Sequence, residues 1–206
     1  MPPDRFLSLR NAAATYTHSM AQRATPQREL TVDEYFSVEE GSLVRHEFVD
    51  GILYAMTGVG QRHNLIKSNI EGRLWNAALD TGCQVVSSDM RLQVTETRYH
   101  YPDVLVICDP DDRDERFTRH PCVVVEVLSP TTADIDQREK AQAYRTIEGL
   151  ETYLIVHTDE RRVQRHWRDA SQRRWQDEIV GDGIIPIHCL QSQLTLADIY
   201  RGIGFD

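Results

Sequence analysis

Two stretches decide how this chain folds: Tyr101-Pro102-Asp103-Val104-Leu105-Val106-Ile107 and Val123-Val124-Val125-Glu126-Val127-Leu128-Ser129. Both are apolar, largely β-branched runs bounded by proline or polar turn residues, the pattern of strands buried on both faces. Each carries one acid. An ionised carboxylate in such surroundings is costly unless it is paired, protonated or bound to a cation. About a dozen linker residues separate the runs, so they read as hairpin neighbours about 4.8 Å apart. Asp103 and Glu126 can then reach one ion. Mg²⁺ and Mn²⁺ favour oxygen ligands, and Mg²⁺ keeps several waters, so two carboxylates suffice with the Val127 backbone carbonyl as third protein ligand.

With 206 residues, 40% of them apolar, the chain can bury one core. No repeat of solenoid period is visible. Cys83, Cys108, Cys122 and Cys189 are scattered without a Cys-x-x-Cys pair, and the eight histidines include no His-Glu-x-x-His, so the usual zinc signatures are missing. Cys108 and Cys122 fall at facing ends of the proposed hairpin, yet single buried thiols are the expectation for a chain read as cytoplasmic. No apolar run is long enough for a secretory signal or a membrane span.

The formal net charge of −9 gives no support to broad phosphate binding. The basic stretch Arg161, Arg162, Arg165, Arg168, Arg173 and Arg174, interleaved with Trp167 and Trp175, reads as an exposed hairpin rather than a nucleic-acid face. Lysine is scarce. Lys67 and Lys140 stand against 21 arginines, so a lysine kept where arginine is the habit draws interest.

Residues 1–29 show no periodic apolar pattern and read as an extension, with Met20-Ala21-Gln22 resembling a second start; residues 30–206 read as one domain. Thr31-Val32-Asp33-Glu34 is a capping box opening a helix to about Glu40. Arg45 to Val49 and Ile52 to Met56 flank Asp50-Gly51, a favoured type I′ hairpin turn. Glu47 lies in its first strand, as an edge acid or as support for a metal site. Ile66, Ile70, Leu74 and Ala77 recur at helical spacing between about Gln61 and Thr81. His63 and Lys67 share a face of that helix at i, i+4; His63 is a cap, a surface residue or the edge of a site. The charged linker from Asp109 to His120 reads as a loop over the site. Asp136-Gln137-Arg138-Glu139 fits a capping box, which sets Lys140 in the first turn of a helix closed near Gly149. Tyr153 to His157 is a further strand, and a terminal helix is expected from about Thr195 to Arg201.

The pair Pro102-Asp103 and Glu126 resembles the core of the PD-(D/E)XK nucleases. More narrowly, Tyr101-Pro102-Asp103-Val104, Val125-Glu126-Val127-Leu128-Ser129-Pro130-Thr131-Thr132, Asp136-x-x-Glu139-Lys140-x-x-x-Tyr144-Arg145 and Glu151-Thr152-Tyr153-Leu154 resemble the Uma-type family of restriction-endonuclease-like proteins. The likeness covers roughly Leu30 to the C-terminus. It implies an α/β fold with a restriction-endonuclease-like mixed β-sheet flanked by helices. It also implies a Mg²⁺- or Mn²⁺-dependent endonuclease acting on DNA, in which Asp103, Glu126 and Lys140 are catalytic, Glu47 supports them, and two copies pair as a homodimer; His63 joins as a supporting residue on its helix spacing alone. One position departs from the superfamily pattern. Two residues after the Glu, where the superfamily has lysine, this chain has Leu128; the resemblance suggests that Lys140 supplies the ammonium instead. The competing readings are a non-catalytic binding module on the same fold and a metal-dependent phosphohydrolase of small phosphoesters.

Overall fold

The computed structural model describes residues 28–128, 134–168 and 174–205. The extension through residue 27, with its second-start reading, lies outside them, as do Ser129-Pro130-Thr131-Thr132 and Arg173. In chain order the elements are α1 (Val32–Gly41), β1 (His46–Val49), β2 (Ile52–Ala55), α2 (Gln61–Ala78), β3 (Gln84–Ser87), β4 (Arg91–Thr95) and β5 (Arg98–His100). Then come β6 (Val104–Ile107), β7 (Phe117–Thr118), β8 (Pro121–Val127), α3 (Asp134–Tyr144), β9 (Thr152–Val156), β10 (Val163–Arg168) and β11 (Trp175–Val180). The chain closes with β12 (Ile184–Ile187), a 3₁₀ turn (His188–Leu190), β13 (Ser192–Thr195) and α4 (Leu196–Ile199).

The apolar runs at Val104 and Val123 become β6 and β8 of a six-stranded sheet ordered β11-β10-β9-β8-β6-β3. β8 pairs with β6 antiparallel and with β9 in parallel, so the sheet is mixed. Its central strands are buried on both faces, and strand alternation sorts their side chains. Val104, Val106, Val123, Val125 and Val127 pack with Ile66, Ile70 and Leu74 of α2 and with the C-terminal β12, β13 and α4. On the opposite face, Leu105, Val124 and Ile155 pack with Ala141 and Tyr144 of α3. Burying each large side chain is worth about 1.5–3 kcal/mol, and the two helices thereby fix the ends of β6 and β8 where the acids stand.

A second sheet, ordered β2-β1-β5-β4-β7, stacks Phe48, Tyr99 and Phe117 under Tyr35 of α1. The capping box forms as the sequence predicts: Thr31 Oγ1 accepts from Glu34 N, and Glu34 Oε2 accepts from Thr31 N. The β1–β2 hairpin also forms, with Asp50 and Gly51 at positive φ of 49° and 90°. Packing starts slightly before Leu30, since Arg28 pairs with Glu34.

Five expectations need correction. The linker from Asp109 to His120 leaves β6 and enters β8 at the end remote from Asp103 and Glu126, because the strands run antiparallel. It therefore does not cover the acids; Asp112 ties it by accepting from the Arg119 and His120 amides. α3 starts at Asp134, so Lys140 is in its second turn; the capping box proposed at Asp136 rests on side chains outside the described set. α3 ends at Tyr144, short of Gly149, which takes φ of 83° in the following loop. Ser192–Thr195 is a strand, and the last helix shrinks to Leu196–Ile199, because β13 pairs with β12. The cysteines are not single thiols: Cys83 is bonded to Cys108, and Cys122 to Cys189.

The arginine-rich hairpin is structural. Arg165, buried, pairs with Glu178 and lies over Trp167. Arg168 donates to the Arg145 and Ile147 carbonyls and lies over Trp175.

Gly51 tests this fold. It combines positive φ with a close approach, since an added Cβ would sit 2.6 Å from Glu29 Cβ. Gly51→Ala should lower stability by about 1–2 kcal/mol or more in urea titration. Gly58→Ala, with nothing within 4 Å of the added atom, should leave it within about 0.5 kcal/mol; equal effects would contradict the turn geometry.

Candidate active site

Asp103 stands just before β6 and Glu126 near the end of β8. The register pairs Val104 with Val125, so one further step sets Asp103 across from Glu126. The Asp103 carboxylate is fixed on two sides. Its Oδ2 accepts from the Val127 amide at 2.7 Å and lies 3.3 Å from His63 Nε2 of α2. Its backbone carbonyl accepts from Ser88 N, and the Ser88 hydroxyl accepts from Lys67 Nζ at 2.7 Å. His63 thus meets the acid, whereas Lys67 braces the adjacent turn.

Lys140 reaches across from α3. Its ammonium donates to Glu47 Oε1 at 2.8 Å and to Glu126 Oε1 at 3.3 Å. Tyr144, one turn on and on the same helix face, donates its hydroxyl to Glu126 Oε1 at 2.9 Å. Glu47 comes from the second sheet. Its Oε1 also accepts from Tyr101 N at 3.3 Å, and its Oε2 lies 3.4 Å from His100 Nδ1, within ion-pair reach but without hydrogen-bond geometry. That approach follows from register: Phe48 pairs with Tyr99, which sets Glu47 beside His100. Tyr144 meets the His100 ring edge-on at 5.7 Å.

Leu128, two residues beyond Glu126, packs with the α3-side cluster, on the face Glu126 shares. The apolar side chain thus occupies the place of the superfamily lysine, while Lys140 brings an ammonium to the same carboxylate from α3. Glu39, fully buried in α1, accepts from the Tyr101 hydroxyl at 2.7 Å and from the His46 amide at 3.0 Å. It holds the segment that leads into Asp103.

The electrostatics divide the two glutamates. Burial pushes the Glu126 carboxyl up to about 7; Lys140 opposes this, and the neighbouring Asp103 and Glu47 charges add to it. Glu47 moves the other way. Burial resists its ionisation, but Lys140 and His100 outweigh that and hold it far below the usual carboxylate range. Burial raises the Tyr144 phenol well above its ordinary value, so it remains a donor. One lysine against three acids leaves the cluster short of positive charge. Hard oxygen donors deficient in positive charge fit a divalent cation such as Mg²⁺.

The sequence pointed to Asp103, Glu126, Lys140, Glu47 and His63, and the fold brings all five to adjoining strand ends and helices. It gave no role to Tyr144 or His100. The spacing Lys140-x-x-x-Tyr144 carried a signal for the former; only strand pairing reveals the latter.

The Uma2 family, described as "Putative restriction endonuclease", matches residues 32–198. The chain is 31% identical over 193 residues to the Uncharacterized protein slr1290 of Synechocystis sp., covering 88% of this chain and 97% of that protein. It is 33% identical over 150 residues to the Uncharacterized protein sll1609 of the same organism, covering 71% and 84% respectively. A crystal structure described as that of "a putative nuclease belonging to DUF820" from Anabaena variabilis matches with a TM-score of 0.68 at 17% identity, over 82% of this chain and 97% of that one. That likeness, with the mixed sheet flanked by α2 and α3, gives the α/β restriction-endonuclease-like fold, and the family match over most of the chain means that it belongs to the Uma2 family.

Proposed function

We propose that this chain is a metal-dependent endonuclease that hydrolyses phosphodiester bonds of DNA. The observation that carries the reading is the Lys140 ammonium held between Glu47 and Glu126, with Asp103 at the neighbouring strand end. Asp103 and Glu126 would hold Mg²⁺ or Mn²⁺ through their carboxylates, and Val127 through its carbonyl. A cation so bound supplies Lewis acidity toward the phosphate and lowers the pKa of water.

The chain's own groups do the rest. His63 and the Val127 amide keep Asp103 in one orientation. Glu47 and Tyr144 position Lys140 and Glu126, and the Lys140 ammonium offsets charge that develops on the phosphoryl oxygens and holds the attacking water. A net charge of −9 limits phosphate contacts to a local surface beside the site. Pairing of two copies would let two sites act on both strands of a duplex.

Three outcomes test this reading. Mn²⁺ or Mg²⁺ should raise the melting temperature of the parent chain, because bound cation stabilises the folded state by mass action. The rise should vanish in Asp103→Asn and in Glu126→Gln; a full shift in both would locate the metal elsewhere.

Lys140→Met leaves two buried carboxylates without their cation, so it should cost about 3–5 kcal/mol without metal. Below its melting temperature, with metal present, it should cut plasmid DNA roughly 10²–10⁴-fold more slowly than the parent. Adding Leu128→Lys should restore part of that rate. Equal cleavage by Lys140→Met and the parent would make the lysine structural and favour a binding module on this fold.

The third outcome concerns pH in metal-free protein. A carboxyl whose folded pKa is raised binds its proton more tightly when folded, so its contribution is present below about pH 4.5 and is lost as pH climbs to about 7. Glu126→Gln, which mimics the protonated form, should therefore gain stability over the parent progressively across that interval in denaturant titrations. A difference independent of pH would show that Glu126 does not carry the shift.

A further inference from the structure

At the opposite end of the same strands lies a second cluster, made of sulfur. β3 pairs with β6, Gln84 against Ile107, so the register carried one residue outward sets Cys83 against Cys108, with Cα atoms 4.1 Å apart. β6 pairs with β8 through a register shift: Val106 opposes Val123, but Ile107 opposes Pro121. Cys122 is the extra residue of that bulge. A bulge re-aims a side chain, and here it puts Cys122 among Val123, Val125 and Val127 on the α2 side of the sheet. Cys189, on the 3₁₀ turn after β12, meets it there. The two disulfides touch, with Cys108 Sγ 3.5 Å from Cys122 Sγ. Sulfurs of Cys108, Cys122 and Cys189 all lie within 4.8 Å of one another.

We propose that in the reduced chain Cys83, Cys108, Cys122 and Cys189 form a tetrathiolate site for Zn²⁺, which alternates with the two disulfides. Zn–S bonds of about 2.3 Å in a tetrahedron set sulfurs roughly 3.8 Å apart, close to the 3.5 Å between Cys108 and Cys122; Cys83, bonded to Cys108 and outside that three-sulfur group, would turn toward the ion once its disulfide opens. Four thiolates make a closed, soft ligand set that selects zinc over the hard cations suited to the carboxylates. The ligands come from the flanks of β3 and β6, the bulge of β8 and the 3₁₀ turn. A zinc ion there would staple the C-terminal β12–β13 unit to the central sheet without touching the acid site.

The interconversion balances. Two equivalents of a dithiol reductant each pass two electrons and two protons to one disulfide and become disulfides themselves. The four thiols so formed lose their protons to solvent as Zn²⁺ binds. Where thiols are kept reduced the metal form prevails; in an oxidising compartment the cross-links do.

The test uses the full chain reduced without oxygen by a phosphine, then titrated with Co²⁺ and with Zn²⁺. Cobalt should give the sulfur-to-metal charge-transfer absorption and strong visible bands of tetrahedral thiolate coordination, displaced by about one equivalent of zinc. Cys108→Ser and Cys189→Ser should each reduce that absorption and its zinc affinity at least tenfold, whereas Asp103→Asn should leave both unchanged. Alkylation of the parent chain read by mass spectrometry needs no variant: zinc should protect all four thiols. Absence of thiolate absorption, alkylation indifferent to zinc, or disulfides that resist reduction while the chain stays folded would overturn the proposal.

Discussion

The Lys140 ammonium is the charge on which the interior of this protein depends. It meets Glu47 from the second sheet and Glu126 from the central one, so one cation from α3 joins three elements that share no strand pairing. Their side chains are only 13–14% exposed, and burial of that degree makes an uncompensated carboxylate expensive. The compensation is uneven. Glu47 receives Lys140 and His100 and stays ionised; Glu126 is pushed up by burial and by the neighbouring Asp103 and Glu47 charges, which the shared lysine does not offset. A site poised in this way suits the uptake of a further positive charge.

Arginine usage follows the same logic of local neutralisation. The basic stretch around Arg165 is absorbed by Glu178, by backbone carbonyls and by the faces of Trp167 and Trp175. An arginine committed to a buried pair offers little to a phosphate, so a run of arginines in sequence does not amount to a nucleic-acid face. Lysine is used only at 67 and 140: Lys140 is placed between two acids, and Lys67 braces the Ser88 turn that leads to Asp103.

The central strands β6 and β8 carry unlike chemistry at their two ends. Oxygen donors stand at one end and sulfur at the other, separated by about five residues, or roughly 17 Å of strand. Antiparallel pairing produces this separation automatically, since Asp103 precedes β6 and Glu126 ends β8, while Cys108 follows β6 and Cys122 begins β8.

Sequence alone determined what depends on local period and on single costly residues. Continuous β-branched apolar runs marked β6 and β8, the capping box marked α1, Asp-Gly marked the β1–β2 turn, and an acid inside an apolar run announced Glu126. Each is a statement about neighbours a few residues apart, where chain geometry leaves few choices. Tertiary structure decided what depends on register and on packing direction. His100 meets Glu47 because two strands align. Lys140 reaches Glu126 from the second turn of α3 because Ala141 and Tyr144 seat that helix on the sheet. The four cysteines converge because a bulge adds one residue to β8 and the 3₁₀ turn folds back onto it. None of these contacts is encoded in any short window, since each arises only when elements far apart in the chain are held against one core.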